Sequence, residues 1–382
     1  MVQTQAYLDY NATAPVRPEV VEAVRRRQEI GGNPSSVHAL GRDARQAVED
    51  AREKVAALVH VRPQQIVFTS GGTESNNLAL NGLGKRQLFV SAVEHGSVLA
   101  AALIGDPDAV VVPVDRAGRI DLGALESALV EKTGAALVSI MLANNETGVV
   151  NSVAPVANLA QSFSVAVHCD AIQAAGKIAV DFDDLGVDLM SLSAHKIGGP
   201  QGVGALVVAD GVELAARVIG GGQERGLRAG TENVAGVVGF GVAAEICAAT
   251  LEEFEKIGAL RDGMEQRLRQ FAPASRVIGD DAPRLPNTSC VTMPGVASET
   301  QVIALDLAGV AVSAGAACSS GKVARSHVLE AMGVADEIAD CAIRVSLGWR
   351  TTVQDLDLLY DAWTGLYTHT HGADLAHAQP AA

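Results

Sequence analysis

Val165-Ala-Val-His-Cys-Asp170-Ala-Ile-Gln-Ala-Ala-Gly-Lys177, followed by Asp188-Leu-Met-Ser-Leu-Ser-Ala-His-Lys196, is the stretch that decides how this chain is read. Each segment opens as a short β-rich run. The first delivers a carboxylate, Asp170, at its carboxyl end, and the second delivers an amine, Lys196. Taken singly, a lysine is a solvated surface residue and an aspartate a helix cap. Together, at two successive strand ends, they match the needs of pyridoxal 5'-phosphate. That cofactor takes a lysine amine as a Schiff base and requires an acid that keeps its pyridine nitrogen protonated. Ser193 and His195 precede Lys196, and Ile197-Gly-Gly-Pro-Gln-Gly-Val-Gly204 follows it, a glycine-rich setting that a surface lysine does not need.

Outward from this stretch the same pattern repeats. Gln65–Thr69, Gln87–Ser91, Ala135–Met141 and Val165–Cys169 read as buried strands of a mostly parallel sheet, with helices such as Arg42–Val59 and Val153–Phe163 between them. This is an α/β arrangement, which puts ligands at the carboxyl ends of strands. Helical periodicity from Asn233 to Phe271 predicts one long connecting helix. Beyond it, the strands Ser289–Met293 and Ala342–Ser346 alternate with helices, as in an α+β unit. The tail after Thr368 has little to bury and is expected to fray.

The chain has 382 residues, 48% of them hydrophobic, with a formal net charge of −15. It can bury a large core, and its acidity argues against nucleic acid as a partner. No apolar run is long enough to cross a bilayer, and the amino terminus lacks a basic start and an apolar stretch, which points to the cytoplasm. The five cysteines, Cys169, Cys247, Cys290, Cys318 and Cys341, are odd in number and lack metal-ligand spacing, against both a disulfide framework and a metal site.

Further groups collect around the same chemistry. Ser70-Gly-Gly-Thr-Glu-Ser-Asn-Asn77 follows a strand and opens a helix, so the backbone at Gly72 and the Thr73 hydroxyl can hold a phosphate. Gly220-Gly-Gly-Gln-Glu-Arg-Gly-Leu-Arg-Ala-Gly-Thr231 combines costly backbone freedom with two arginines and a hydroxyl, as a loop does that something approaches closely. His95, after the strand ending at Ser91, can stack on a planar cofactor and exchange protons near neutral pH. The amides of Asn144 and Asn145 sit after another strand. Cys318 lies in Ser313-Ala-Gly-Ala-Ala-Cys-Ser-Ser-Gly321, a run too poor in side chains to anchor a core, which suits a mobile nucleophile. The other four cysteines read as small buried hydrophobes. Arg344, inside an apolar strand, needs an anionic partner, and a substrate carboxylate is one it can bind with two hydrogen bonds.

Assembled, these residues closely resemble the group I cysteine desulfurases of the nitrogen-fixation and iron–sulfur-assembly type, in the class V aminotransferase family. Tyr7-Leu-Asp-Tyr-Asn-Ala-Thr-Ala-Pro15, Asn33-Pro-Ser-Ser-Val-His38, the Gly-Gly-Thr-Glu-Ser-Asn-Asn run, Asn-Asn-Glu-Thr-Gly, Ser-Ala-His-Lys, Gly-Gly-Gln-Glu-Arg-Gly, Ser326-His-Val-Leu329 and Arg-Val-Ser-Leu-Gly occur in order, over roughly residues 6 to 360. The resemblance implies a fold-type I pyridoxal-phosphate enzyme. Its large domain, residues 16–258, would hold a mixed, mostly parallel seven-stranded sheet. A small α+β domain, residues 1–15 and 259–382, would carry the cysteine loop and a flexible tail. The resemblance also implies a homodimer acting on L-cysteine and an iron–sulfur scaffold protein as sulfur acceptor. By position, Lys196 would bind the cofactor, Asp170 its pyridine nitrogen and Gln173 its phenolic oxygen, with His95 stacked on the ring. Gly72, Thr73, Ser193, His195 and, from the other subunit, Thr231 would hold the phosphate. Asn145 would contact the cofactor, Asn33 and Arg344 the substrate carboxylate, and Cys318 would take the sulfur. An aminotransferase would use Lys196, Asp170 and Arg344 but have no need of the Cys318 loop. A selenocysteine lyase, or a cofactor-binding subunit without turnover, are the other readings.

Overall fold

The computed structural model describes residues 6–84, 86–315 and 325–377. In chain order its strands are β1 (Ala6–Tyr7), β2 (Ile66–Thr69), β3 (Gln87–Ser91), β4 (Val110–Val112), β5 (Ala136–Met141), β6 (Ala166–Asp170), β7 (Leu189–Ser193), β8 (Gly204–Val208), β9 (Thr288–Thr292), β10 (Val310–Ala311), β11 (Ser313–Ala314) and β12 (Ala342–Ser346). A seven-stranded sheet in the order β2-β8-β7-β6-β5-β3-β4 forms the centre of the molecule. β8 runs antiparallel to both β2 and β7, and the remaining pairings are parallel. The carboxyl ends of β2, β3, β5, β6 and β7 therefore meet at one edge, because two successive reversals bring β2 back to the direction of β7. The fold is the mixed, mostly parallel α/β class expected.

Why these runs become strands is visible in their burial. β5, β7 and β8 are buried at every position, as sheet strands covered by helices on both faces must be. One face is covered by the helices Ala39–Leu58 and Val234–Ala249, which approach so closely that a Cβ on Gly241 would lie 2.7 Å from Ala51 Cα. The other is covered by the helix Gly72–Gly82, whose Leu78, Ala79 and Leu80 join Val67, Val90 and Leu137 in a core of their own.

The continuous helix expected over Asn233–Phe271 is instead two, Val234–Ala249 and Glu253–Phe271, bent by 76°. The two halves serve different cores. Phe240, Ala243 and Cys247 pack against the large sheet, whereas Phe254, Ile257, Met264 and Leu268 pack against a second cluster containing Ala6, Leu8, Val291, Ile343 and Trp363. A straight helix cannot bury both apolar faces, and Thr250, whose N–H returns to Ile246 O, ends the first. No single helix among the described residues is long and apolar enough to cross a membrane.

The second cluster surrounds a three-stranded antiparallel sheet, β11-β12-β9, and the parallel pair β1-β10. Its last helix overturns the expectation of a tail frayed after Thr368, since it runs from Val353 to His377. Side chains four residues apart stabilise it: Tyr367 stacks on Trp363 and His371 on Tyr367, with ring centroids 5.6 and 4.2 Å apart.

Candidate active site

Asp170 ends β6 almost fully buried, one strand from Lys196. Its Oδ1 accepts from Ile172 N at 3.0 Å and its Oδ2 from Asn76 Nδ2 at 2.8 Å. Burial raises its pKa, against the opposing pull of these two donors, His95 and Lys196. Lys196 closes a short helical turn after β7 and donates from Nζ to the carbonyls of Asn11 at 2.6 Å and Ala12 at 2.9 Å. His195 lies against Thr13 Oγ1 at 3.2 Å, and burial, with Lys196 and Lys177 nearby, brings its pKa down to about 4. It is a neutral ring at physiological pH.

At the same sheet edge the helix Gly72–Gly82 begins immediately after β2. Gly71 at its start has φ 149°, and a Cβ on Gly72 would meet Ile172 Cδ1 at 2.3 Å, so both positions call for glycine. Thr73 is exposed in the first turn. Ser193 Oγ is buried beside Gly72 without a hydrogen-bond partner among the described residues. An orphaned hydroxyl beside a helix amino terminus, at the sheet edge that also carries a buried acid and a lysine, suits a phosphorylated pyridine cofactor with an aldehyde. The donor set fits pyridoxal phosphate.

His95 begins the helix Gly96–Gly105 and is exposed at the mouth. Its Nδ1 accepts from Ser97 N at 3.1 Å, which leaves the proton on Nε2. Partial enclosure of the ring, with Lys196 and His327 nearby, lowers its pKa against the opposing charge of Asp170. Arg344, in β12, is buried, donates from Nη2 to Asp9 Oδ1 at 2.7 Å and from Nη1 to Asn145 O at 3.1 Å, and leaves Nε without a partner among the described residues. Asp9 thus holds one edge of the guanidinium expected to meet an anion. Asn33 is exposed, its Oδ1 accepting from Ser35 N at 2.9 Å. Cys318 lies outside the described residues, whereas Cys169, Cys247, Cys290 and Cys341 are all buried. Burial pushes the Cys290 thiol up to about 12 and raises those of Cys169 and Cys247, which disfavours a thiolate at each.

The arginines of the glycine-rich loop ending at Thr231 have partners within the fold. Arg225 donates to Ile66 O at 2.6 Å and Arg228 pairs with Glu74 at 2.8 Å, so both arginines serve the fold. Just before Arg225, Glu224 is buried, paired with Arg52 at 2.7 Å and accepting from Phe68 N at 2.9 Å. Thr231 itself is exposed.

Three residues escaped the sequence reading. Asn76 links Asp170 to Ser97, donating to Ser97 Oγ at 2.9 Å, and Ser97 in turn bonds His95 Nδ1 at 2.8 Å. Its signal was its place one helical turn after Thr73. Asn11 accepts from Lys196 and Gln173 at its carbonyl, accepts from Lys177 and Asn287 at Oδ1, and donates to Asn145 O and Thr288 Oγ1. Lys177 is buried with Gln173 Oε1 at 2.7 Å and Asn11 Oδ1 at 2.9 Å, two neutral acceptors. Burial drives its pKa well below that of an ordinary lysine.

Sheet topology, with a lysine and a buried acid at adjacent strand ends, defines a fold-type I pyridoxal-phosphate enzyme. The model of the class-V aminotransferases matches residues 6–359, and the chain belongs to that family. Among curated relatives, a cysteine desulfurase IscS of Dictyoglomus turgidum is 41% identical, over 94% of each chain. An IscS-like cysteine desulfurase of Mycobacterium tuberculosis is 38% identical, over 98% of this chain and 99% of its own. The crystal structure of a NifS-like protein from Rickettsia africae superposes with a TM-score of 0.88 at 35% identity, covering 95% of this chain and 99% of that one.

Proposed function

We infer that this protein is a pyridoxal-phosphate-dependent cysteine desulfurase, converting L-cysteine to L-alanine, carrying the released sulfur as a persulfide on Cys318 and supplying it to iron–sulfur cluster assembly. The observation that carries the chemistry is the placement of Lys196 and Asp170 at adjacent strand ends beside the orphaned Ser193 hydroxyl. Pyridoxal phosphate, when bound, supplies a carbon that captures amines and a ring that withdraws electrons from the substrate Cα.

Lys196 would hold the cofactor and, once its amine is released, take the proton from Cα. Asp170 would keep a proton on the pyridine nitrogen, a task suited to a buried carboxylate that two donors hold in place. Gln173 would bond the phenolic oxygen, His95 would stack on the ring, and Asn145 would contact it. Gly72, Thr73, Ser193 and neutral His195 would hold the phosphate, joined by Thr231 of the partner subunit. Arg344 and Asn33 would orient the substrate carboxylate. The Cys318 thiolate then attacks the substrate sulfur: an S–S bond forms, the Cβ–S bond breaks, and its electron pair returns to the carbon skeleton, which takes up a proton and leaves as alanine. Burial of the four other cysteines supports Cys318 as the carrier. We further read residues 16–258 as the cofactor-holding domain and residues 1–15 and 259–382 as the smaller one. The two hydrophobic cores support this division, although Phe254 and Ile257 already pack in the second. The enzyme acts as a cytoplasmic homodimer that hands sulfur to a scaffold protein.

Mass spectrometry after limiting L-cysteine tests this reading. The added sulfur is expected on the Cys318 peptide, and Cys318→Ser is expected to bind cysteine yet release sulfide at background level. Sulfur on Cys290 or Cys341, or wild-type turnover by Cys318→Ser, overturns it.

A further inference from the structure

An ammonium loses its hydration on burial, so lysines are seldom enclosed. Lys177 is 4% exposed, on the turn that follows Asp170. Its Nζ donates to Gln173 Oε1 at 2.7 Å and to Asn11 Oδ1 at 2.9 Å, and among the described residues no carboxylate pairs with it. Burial first, then Lys196 and Arg344, pull its pKa well below the ordinary lysine range, and only the Cys247 thiol acts the other way. What this amine offers the site is two placed hydrogen bonds rather than a charge.

An amide side chain can lie either way round unless its neighbours tell its oxygen from its nitrogen. Gln173 is told apart at both ends. Its Nε2 donates to the Asn11 carbonyl at 3.0 Å, a group that only accepts, and its Oε1 receives Lys177. Turned over, the amide would set its oxygen against that carbonyl and an N–H against an amine that already donates. The carbonyl also receives Lys196 at 2.6 Å. Asn11 is fixed in turn, since Nδ2 donates to Asn145 O and Thr288 Oγ1 while Oδ1 accepts from Asn287 Nδ2 besides Lys177. With its oxygen and one N–H engaged, the buried Gln173 amide has a single N–H left to give.

We propose that Lys177 is a positioning residue that locks the polarity of the Gln173 amide, so that the cofactor's phenolic oxygen meets an N–H donor and never the amide oxygen. The proposal rests on the reading of Gln173 as the partner of that phenolic oxygen. A donor there stabilises negative charge on the oxygen, so the bound cofactor gives up its proton more readily. Without Lys177 the Gln173 oxygen loses the hydrogen bond that holds it, and the amide is free to present either end.

The test compares holoenzymes of wild type, Lys177→Met, Lys177→Gln, Gln173→Ala and the double variant Lys177→Met with Gln173→Ala. Each is titrated with acid and base, and the pH midpoint of the bound cofactor's visible absorbance is read. Lys177→Met is expected to raise the midpoint by about one pH unit, a tenfold change in proton affinity, and Gln173→Ala to raise it at least as far. In the double variant Lys177→Met adds nothing to Gln173→Ala, because its effect runs through that amide, whereas a charge acting through space would add. Lys177→Gln removes the charge but keeps an N–H for Gln173 Oε1, and its proton affinity is expected within about twofold of wild type. A wild-type midpoint in Lys177→Met, additive shifts in the double variant, or a Lys177→Gln midpoint as high as that of Lys177→Met overturn the proposal. Should Lys177→Met fail to fold, Lys177→Gln decides, and a rise of about one pH unit there overturns it. A wild-type midpoint in Gln173→Ala defeats instead the reading of Gln173 at the phenolic oxygen, so the two failures are told apart.

Discussion

Asn76 Nδ2 donates to Asp170 Oδ2 at 2.8 Å, joining the helix Gly72–Gly82 to the buried acid that ends β6. The same amide reaches Ser97 Oγ at 2.9 Å, and Ser97 holds His95. One side chain thus orients the group proposed for the pyridine nitrogen and, through a serine, the ring proposed to stack above it.

Asn76→Ala is expected to slow desulfuration by roughly 10- to 100-fold, because a buried carboxylate loses a hydrogen bond of about 1.5–3 kcal/mol. Its Asp170 carboxyl should move further up in pKa. Steady-state kinetics with cofactor titration check this, and turnover within twofold of wild type would remove Asn76 from the site.

Lys196→Ala should leave no borohydride-reducible cofactor adduct and no sulfide release, since the neighbouring amine of Lys177 is enclosed by Gln173 and Asn11. Reduction of the wild type followed by peptide mapping should place the cofactor on Lys196. An adduct on Lys177 would reassign the role.

Burial against the neutral oxygens of Gln173 and Asn11, with Lys196 and Arg344 repelling a charge, drives the Lys177 pKa well below that of an ordinary lysine. Lys177→Met keeps the volume but takes the donor from Gln173 Oε1, at a cost of about 1–3 kcal/mol for an acceptor left unsatisfied, while Asn11 Oδ1 keeps Asn287. Chemical denaturation should show that loss. A variant as stable as the wild type would mean that water replaces the amine.

His168 lies fully buried between Ser139 Oγ at 2.8 Å and Ser191 Oγ at 2.9 Å, which ties β5, β6 and β7 together behind the site. Burial lowers its pKa from 6.5 to about 3. The unfolded chain therefore binds a proton below pH 6.5 that the folded protein refuses until pH is about 3. Stability falls as pH drops through this window, by up to about 1.4 kcal/mol per pH unit for one proton. Melting temperatures from pH 7 to 4 should decline less steeply in His168→Asn than in the wild type. Parallel slopes would assign the decline to other groups.

Much was legible in the sequence because its signals are local. β3 and β12 have the bounds that alternation and apolar runs predict, and Asp170, Lys196 and His95 follow strands whose ends coincide because the sheet is nearly parallel. The break at Thr250 was not legible, since helical periodicity runs on through it and only the existence of two separate cores bends the chain. Nor was the helical tail, whose order comes from Tyr367 and His371 stacking along one face.

The sequence by itself determined the α/β class, the cofactor chemistry and the residues that end the central strands, because strand periodicity and short motifs are encoded within a few residues of each other. Tertiary structure alone decided what holds those residues in place. Asn11 meets Lys196 across 185 positions, Glu146 meets Ser326 across 180 and Arg344 meets Asp9 across 335. Contacts of that span depend on how the packed layers bring distant segments together, and no local pattern in the chain records them.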